Sequence, residues 1–175
     1  MKLIFDSSVL SAFARAELLD LLEELTHGHE RCMPRAVVDE VERGIEDHPA
    51  LKAISAASWL RVVPVDSLDE LVAFADYATR LVAGDRNVGE ASVLAWAEVN
   101  GAVALTDDQD AVQCGRENGV SIRRSLALLA SGVKEGILSE GRAIEVVEAL
   151  VKQGEARFPC GGHEFITWAR DQGLL

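Results

Sequence analysis

Short apolar runs alternate with longer segments of helical periodicity through the first 124 residues, and few architectures accommodate that alternation. Parallel strands need long crossovers, and helical crossovers bury both faces of the sheet they connect. The pattern therefore predicts an α/β fold with a parallel sheet of about five strands. The expected strands are KLIF at 2–5, RCM at 31–33, WLRVVPV at 59–65, AVALT at 102–106 and VSIR at 120–123.

The segments between them read as helices. SSVLSAFARAELLDLLEEL, at 7–25, places Val9, Leu10, Phe13, Leu18, Leu21, Leu22 and Leu25 at mixed three- and four-residue steps, as one amphipathic helix would. In the segment 34–45, Val37, Val41 and Ile45 fall four apart, with Pro34 accommodated in the first turn. The segment 67–82 opens with Ser67 and carries Glu70 three residues on, a capping box, and Gly84 is placed to end it. Residues 87–101 and 109–119 complete the helices of the alternating part. From Ser125 onward the pattern is helical only, closing on a short helix packed through Phe165, Ile166 and Trp168.

A chain of 175 residues with 49% hydrophobic composition fits one domain with a substantial core. The apolar run after Lys2 breaks at Asp6, so no leader peptide is expected, and no apolar stretch is long enough to span a bilayer. A cytoplasmic protein is the expectation. Three scattered cysteines, Cys32, Cys114 and Cys160, exclude a disulfide framework. Cys160 and His163 have the spacing of half a zinc site, with no second pair to complete it. A net charge of −12 repels polyanions at long range, yet a cluster of acids around a cation makes part of that charge useful.

Two of the apolar runs stop at acid: KLIF at Asp6, and AVAL at Asp107-Asp108 after Thr106. In open parallel sheets the functional crevice lies outside the carboxyl ends of the strands, where strand order reverses. If the first and fourth strands are neighbours there, Asp6 converges with Asp107 or Asp108. The competing reading is that Asp6 and Asp108 merely cap the helices that follow. Glu90 sits between Gly89 and the small Ala91 and Ser92 on the margin of an apolar face, and Glu40 lies beside Val41 on the edge of another. Isolated acids there are expensive, because two ionised carboxylates about 4 Å apart repel by roughly 4 kcal/mol at an effective dielectric near 20. A divalent cation reverses that sign, and hard oxygen donors without thiolate or imidazole select Mg²⁺ or Mn²⁺ over zinc.

The segments IFDSS, MPRAVVDEV, VGEASVLAWA and ALTDDQDA, in that order, resemble the PIN-domain nucleases. The resemblance implies a three-layer α/β/α sandwich over residues 1–124, with residues 125–175 as a helical extension packed on the same domain. Carried over by position, Asp6, Glu40, Glu90 and Asp108 look like the four metal-site acids, with Asp107 an alternative to Asp108. In that reading Asp6 and Asp108 hold metal, Glu90 completes the shell, and Glu40 binds a second ion or orients water. Ser7 and Thr106 match the small hydroxyl positions beside the acids, and Arg35, Arg86 and Arg116 are candidate phosphate contacts.

The family further implies Mg²⁺- or Mn²⁺-dependent cleavage of single-stranded RNA, homodimers, and in some branches the toxin role of a type II toxin–antitoxin pair, with an antitoxin protein near the acidic pocket. The alternative is a catalytically silent PIN-like module that binds RNA or protein, against which the presence of all four acids counts. A receiver or phosphatase would want an aspartate where Ser8 stands, and a dinucleotide fold would want a glycine-rich turn after the first strand.

Overall fold

A computed structural model describes residues 1–81 and 87–175. Its five strands, β1 (Lys2–Phe5), β2 (Glu30–Pro34), β3 (Arg61–Val63), β4 (Val103–Leu105) and β5 (Ser121–Arg123), form one wholly parallel sheet in the order β3-β2-β1-β4-β5. The central strand is the most apolar: Leu3, Ile4 and Phe5 are all buried, as a strand covered on both faces must be. Strand order reverses between β1 and β4, which pair through Phe5 and Leu105, and the Asp6 N–H extends the ladder to the Leu105 carbonyl at 3.0 Å. The expected neighbourhood of the first and fourth strands is therefore present.

The helices are α1 (Ser7–Arg15), α2 (Leu19–Leu25), α3 (Arg35–Gly44), α4 (Lys52–Ala56), α5 (Leu68–Leu81), α6 (Val88–Asn100), α7 (Gln109–Glu117), α8 (Ser125–Lys134), α9 (Glu140–Lys152) and α10 (Phe165–Asp171). Helix α6 covers β1, β2 and β4 and packs on α5 and α7, while α1 packs on α2, α3, α4 and α9, giving a three-layer α/β/α sandwich. Among the described residues no helix is long and apolar enough to cross a membrane.

The single helix expected over 7–25 is two. Glu17 adopts φ +58°, its N–H bonds the Ala14 carbonyl at 3.1 Å, and the Leu18 N–H reaches the Phe13 carbonyl at 2.8 Å. These are the paired bonds of a Schellman closure, which glycine normally occupies. A glutamate in the left-handed region hides the break from a reading that looks for glycine. Pro34 likewise ends β2 and precedes α3 instead of entering its first turn. A 3₁₀ turn at Pro49–Leu51 and α4 occupy a stretch whose periodicity signalled nothing. The Ser67–Glu70 capping box forms, with the Ser67 N–H donating to the Glu70 carboxylate at 3.1 Å and the Glu70 N–H to Ser67 Oγ at 3.3 Å. Gly84, the expected end of that helix, lies outside the described residues.

The helices after Ser125 share the same core. Phe165 is fully buried, and Gly154 lies so close to α1 that a Cβ there would stand 2.5 Å from the Ala12 carbonyl oxygen. That contact brings the segment after α9 across the carboxyl edge of the sheet.

Candidate active site

Asp6 is the first residue past β1 and is completely buried. Burial of a carboxylate is tolerable only with donors around it, and three converge: the Ser7 N–H at 2.7 Å on Oδ1, and Ser8 Oγ at 2.6 Å and Thr106 Oγ1 at 2.8 Å on Oδ2. Asp6 thus caps α1 and is also gripped from β4's end. The Ser7 contribution comes from its backbone, and the side-chain hydroxyl on Asp6 belongs to Ser8. Ser8 also accepts the Asp107 N–H at 3.3 Å, stitching the ends of β1 and β4 together.

Glu40 and Glu90 come to Asp6 from α3 and α6. The three offer carboxylate oxygens within 4.8 Å of one another. Glu40 accepts the Gly89 N–H at 2.8 Å, so it satisfies one of the unpaired donors at the start of α6. Glu90 sits one residue further into that first turn, where the helix dipole favours negative charge. Its Oε2 is buried and has no hydrogen-bond partner among the described residues.

The electrostatics follow from that crowding. Burial pushes the Glu90 carboxyl from 4.5 up to about 8, with the charges of Asp6, Glu40 and Asp108 adding to it. Burial also raises Asp6 from 3.8 to about 6, against the pull of the Ser8 and Thr106 hydroxyls. Both groups resist ionising beside one another in the absence of a cation.

The adjacent aspartates after β4 diverge. Asp107 is turned toward α8, accepting the Ser125 N–H at 3.0 Å and Ser125 Oγ at 2.5 Å, with Arg124 Nε 3.7 Å away. Asp108 caps α7 through the Ala111 N–H at 2.8 Å and lines a cleft of about 590 Å³ together with Glu90. Neither joins the cluster of three acids within 4.8 Å; both line the cleft, but the Asp107 carboxylate is committed to Ser125 at the start of the helix that follows β5.

A family model described as a PIN domain, DUF3368, matches residues 2–159. The chain belongs to the PIN domain family. No curated protein matches it. Among solved structures, one chain of VapBC2 from Rickettsia felis, crystallised bound to a DNA fragment from the promoter, shares the fold. The TM-score is 0.52 over 71% of this chain and 98% of that one, at 12% identity.

The cleft of this PIN domain has a wall that residues 1–124 do not supply. Gly154, Glu155, Ala156 and Arg157 line it together with Asp108 and Asp110, and Glu155 forms an ion pair with Arg15. Arg15 and Arg157 are thus the basic residues at the acidic hollow, and the sequence reading missed both. Arg157 lies far along the chain from the acidic motifs, and no local pattern around Arg15 sets it apart. Of the arginines expected at phosphate, Arg35 is exposed at the start of α3, Arg116 lines a different cavity, and Arg86 lies outside the described residues. His163 is exposed and pairs with Glu148, while Cys160 is buried, so the half zinc site is not assembled. All three cysteines carry free thiols.

Proposed function

We propose that this PIN domain is a divalent-metal-dependent endoribonuclease acting on single-stranded RNA. The observation that carries the reading is the Asp6–Glu40–Glu90 cluster with its orphaned, buried Glu90 Oε2. An oxygen in that position is costly unless a cation completes its shell. The donor set is all carboxylate, which suits Mg²⁺ or Mn²⁺. Asp6, Glu40 and Glu90 would hold the ion, with Asp108 near enough for its charge to act on Glu90. An ion bound there supplies a polarised phosphoryl oxygen and an activated water.

The remaining work belongs to the chain. Ser8 and Thr106 hold Asp6 in one rotamer, so its carboxylate is oriented before anything binds. The Gly89 N–H does the same for Glu40. Arg15 and Arg157 offer guanidinium groups at the cleft wall where a phosphodiester backbone would pass an otherwise acidic surface. The charged partner of Arg15, Glu155, would yield to phosphate on binding.

The family and the shared fold with a VapBC2 chain support a toxin role with an antitoxin protein as partner, in a cytoplasmic setting. Leu68, Leu71 and Val72 stand exposed together on α5, an apolar face that supports a homodimer.

Cleavage of mixed single-stranded RNAs with Mn²⁺, alongside calorimetric Mn²⁺ binding, tests the proposal. The parent cleaves and binds, while Asp6→Asn and Glu90→Gln lose both. Equal cleavage by all three proteins would remove the nuclease assignment.

A further inference from the structure

A second hollow of about 300 Å³ lies on the other side of the segment that walls the acidic cleft. Residues 154–157 face the cleft, whereas Phe158 and Pro159 face this cavity. A second link joins the two: Arg124, in the cavity lining, donates from Nη2 to the carbonyl of Asp107, in the cleft lining, at 3.1 Å. The hollows are therefore neighbours, separated by one strap of chain and one side-chain bridge.

The cavity's chemistry departs from that of the protein as a whole. The chain carries a net charge of −12, yet this lining contains Arg116 and Arg124 and no carboxylate, with Arg124 held by Asp107 beside it, its Nε 3.7 Å from that carboxylate. Arg116 projects from α7, is exposed, and makes no ion pair among the described residues. The same lining contains two aromatic rings, Phe158 and Trp168. The ring of Trp168 stacks on fully buried Phe165, with centroids 6.4 Å apart and planes inclined by 26°, so its orientation is held from behind. Phe158 and Leu174 extend the apolar surface, and the amide of Gln172 reaches the rim with both a donor and an acceptor.

Aromatic and apolar surface, a guanidinium with no ion pair among the described residues, a second held beside it, and one amide match a unit that has a planar face, an anionic end and hydrogen-bonding edges. We propose that this cavity is a nucleotide subsite: a base of the single-stranded RNA stacks on Trp168 and Phe158, and its phosphate meets Arg116, with Arg124 held alongside by Asp107. Base stacking on aromatic rings is tolerant of sequence, and arginine recognises phosphate by paired donors. The charge complementarity favours nucleic acid over an apolar peptide, and the volume suits one unit rather than a docked helix. Its position beside the acidic cleft places the bound nucleotide next to the phosphodiester to be cut, and in that respect it rests on the nuclease reading. The subsite would offset the long-range repulsion between an acidic protein and its polyanionic substrate by local contacts.

The test separates binding from cleavage. With EDTA present, a short unstructured oligoribonucleotide labelled with fluorescein is titrated with the full chain and followed by anisotropy and by tryptophan emission. The parent binds and its emission is quenched. Arg116→Glu, a change at an exposed position, weakens binding about tenfold, and Trp168→Phe, which keeps a ring, abolishes the quenching while the circular dichroism of both variants matches the parent. Unchanged affinity in Arg116→Glu together with unchanged quenching in Trp168→Phe overturns the subsite, and leaves the nuclease reading intact if the parent still cleaves with Mn²⁺. Arg116-dependent binding by a protein that never cleaves supports the subsite and removes the nuclease. Quenching by an acidic peptide and not by RNA overturns it in favour of a protein partner.

Discussion

Glu40 and Gly89 meet across two helices: the glutamate's Oε1 accepts the glycine N–H at 2.8 Å, and a Cβ on Gly89 would stand 2.7 Å from Glu40 Cδ. The glycine is there because a carboxylate occupies the space a side chain would fill. In most helices Gly→Ala stabilises by up to about 1 kcal/mol. Here a Cβ meets the end of the flexible Glu40 side chain, which can swing aside, so Gly89→Ala is expected to leave stability little changed while displacing Glu40 from the cluster and weakening Mn²⁺ binding. Urea unfolding and calorimetry check both parts.

Thr106 is buried and donates to a buried carboxylate, so its hydroxyl is worth more than one at the surface. Thr106→Val keeps the shape and removes the donor, and is expected to cost about 1.5–3 kcal/mol. Thr106→Ser restores most of it. The comparison of the two by denaturant midpoint separates the hydrogen bond from the packing.

Stability of the metal-free protein depends on pH through Asp6 and Glu90, both of whose carboxyls are raised by burial. A raised carboxyl binds its proton more tightly in the folded state, so its contribution is fully present below the unfolded pKa and fades as pH rises through the folded one. For Glu90 the window runs from 4.5 to about 8. Urea midpoints in EDTA should therefore fall across that range in the parent and fall less in Glu90→Gln, which stays neutral there and leaves Asp6 to titrate. Mn²⁺ should restore stability most at the alkaline end, where the carboxylates are ionised and competing protons are gone.

The neighbouring aspartates after β4 should separate by phenotype. Asp107→Asn loses charge-assisted bonds to Ser125 and the contact with Arg124, and is expected to lower the melting temperature. Asp108→Asn retains its cap on α7, since an asparagine oxygen still accepts the Ala111 N–H, and is expected to fold normally with reduced Mn²⁺-dependent cleavage. Melting curves and RNA cleavage of the two variants decide which aspartate serves the site.

The exposed apolar face of α5 gives a prediction about assembly. Leu71→Glu, at a position already half exposed, should leave the fold unchanged and shift the proposed homodimer to monomer in sedimentation velocity.

The linear order of residues determined the sheet and the chemistry available at its edge. Buried strands must be apolar along their length, so KLIF and AVAL announced themselves, and the acid at the end of each marked where the chain leaves the sheet. Periodicity likewise exposed α5 with its Ser67–Glu70 cap. Only the tertiary structure decided what those acids do. Asp6 and Asp108 both cap helices, as local chemistry allows, yet Asp6 also enters a cluster with Glu40 and Glu90 from helices distant in sequence. The split at Glu17 stayed hidden because a left-handed residue without glycine leaves no compositional trace. Arg15, Arg157 and the cavity beside Trp168 stayed hidden because the packing of the C-terminal segment sets their proximity, and no local pattern encodes a contact between elements distant in sequence.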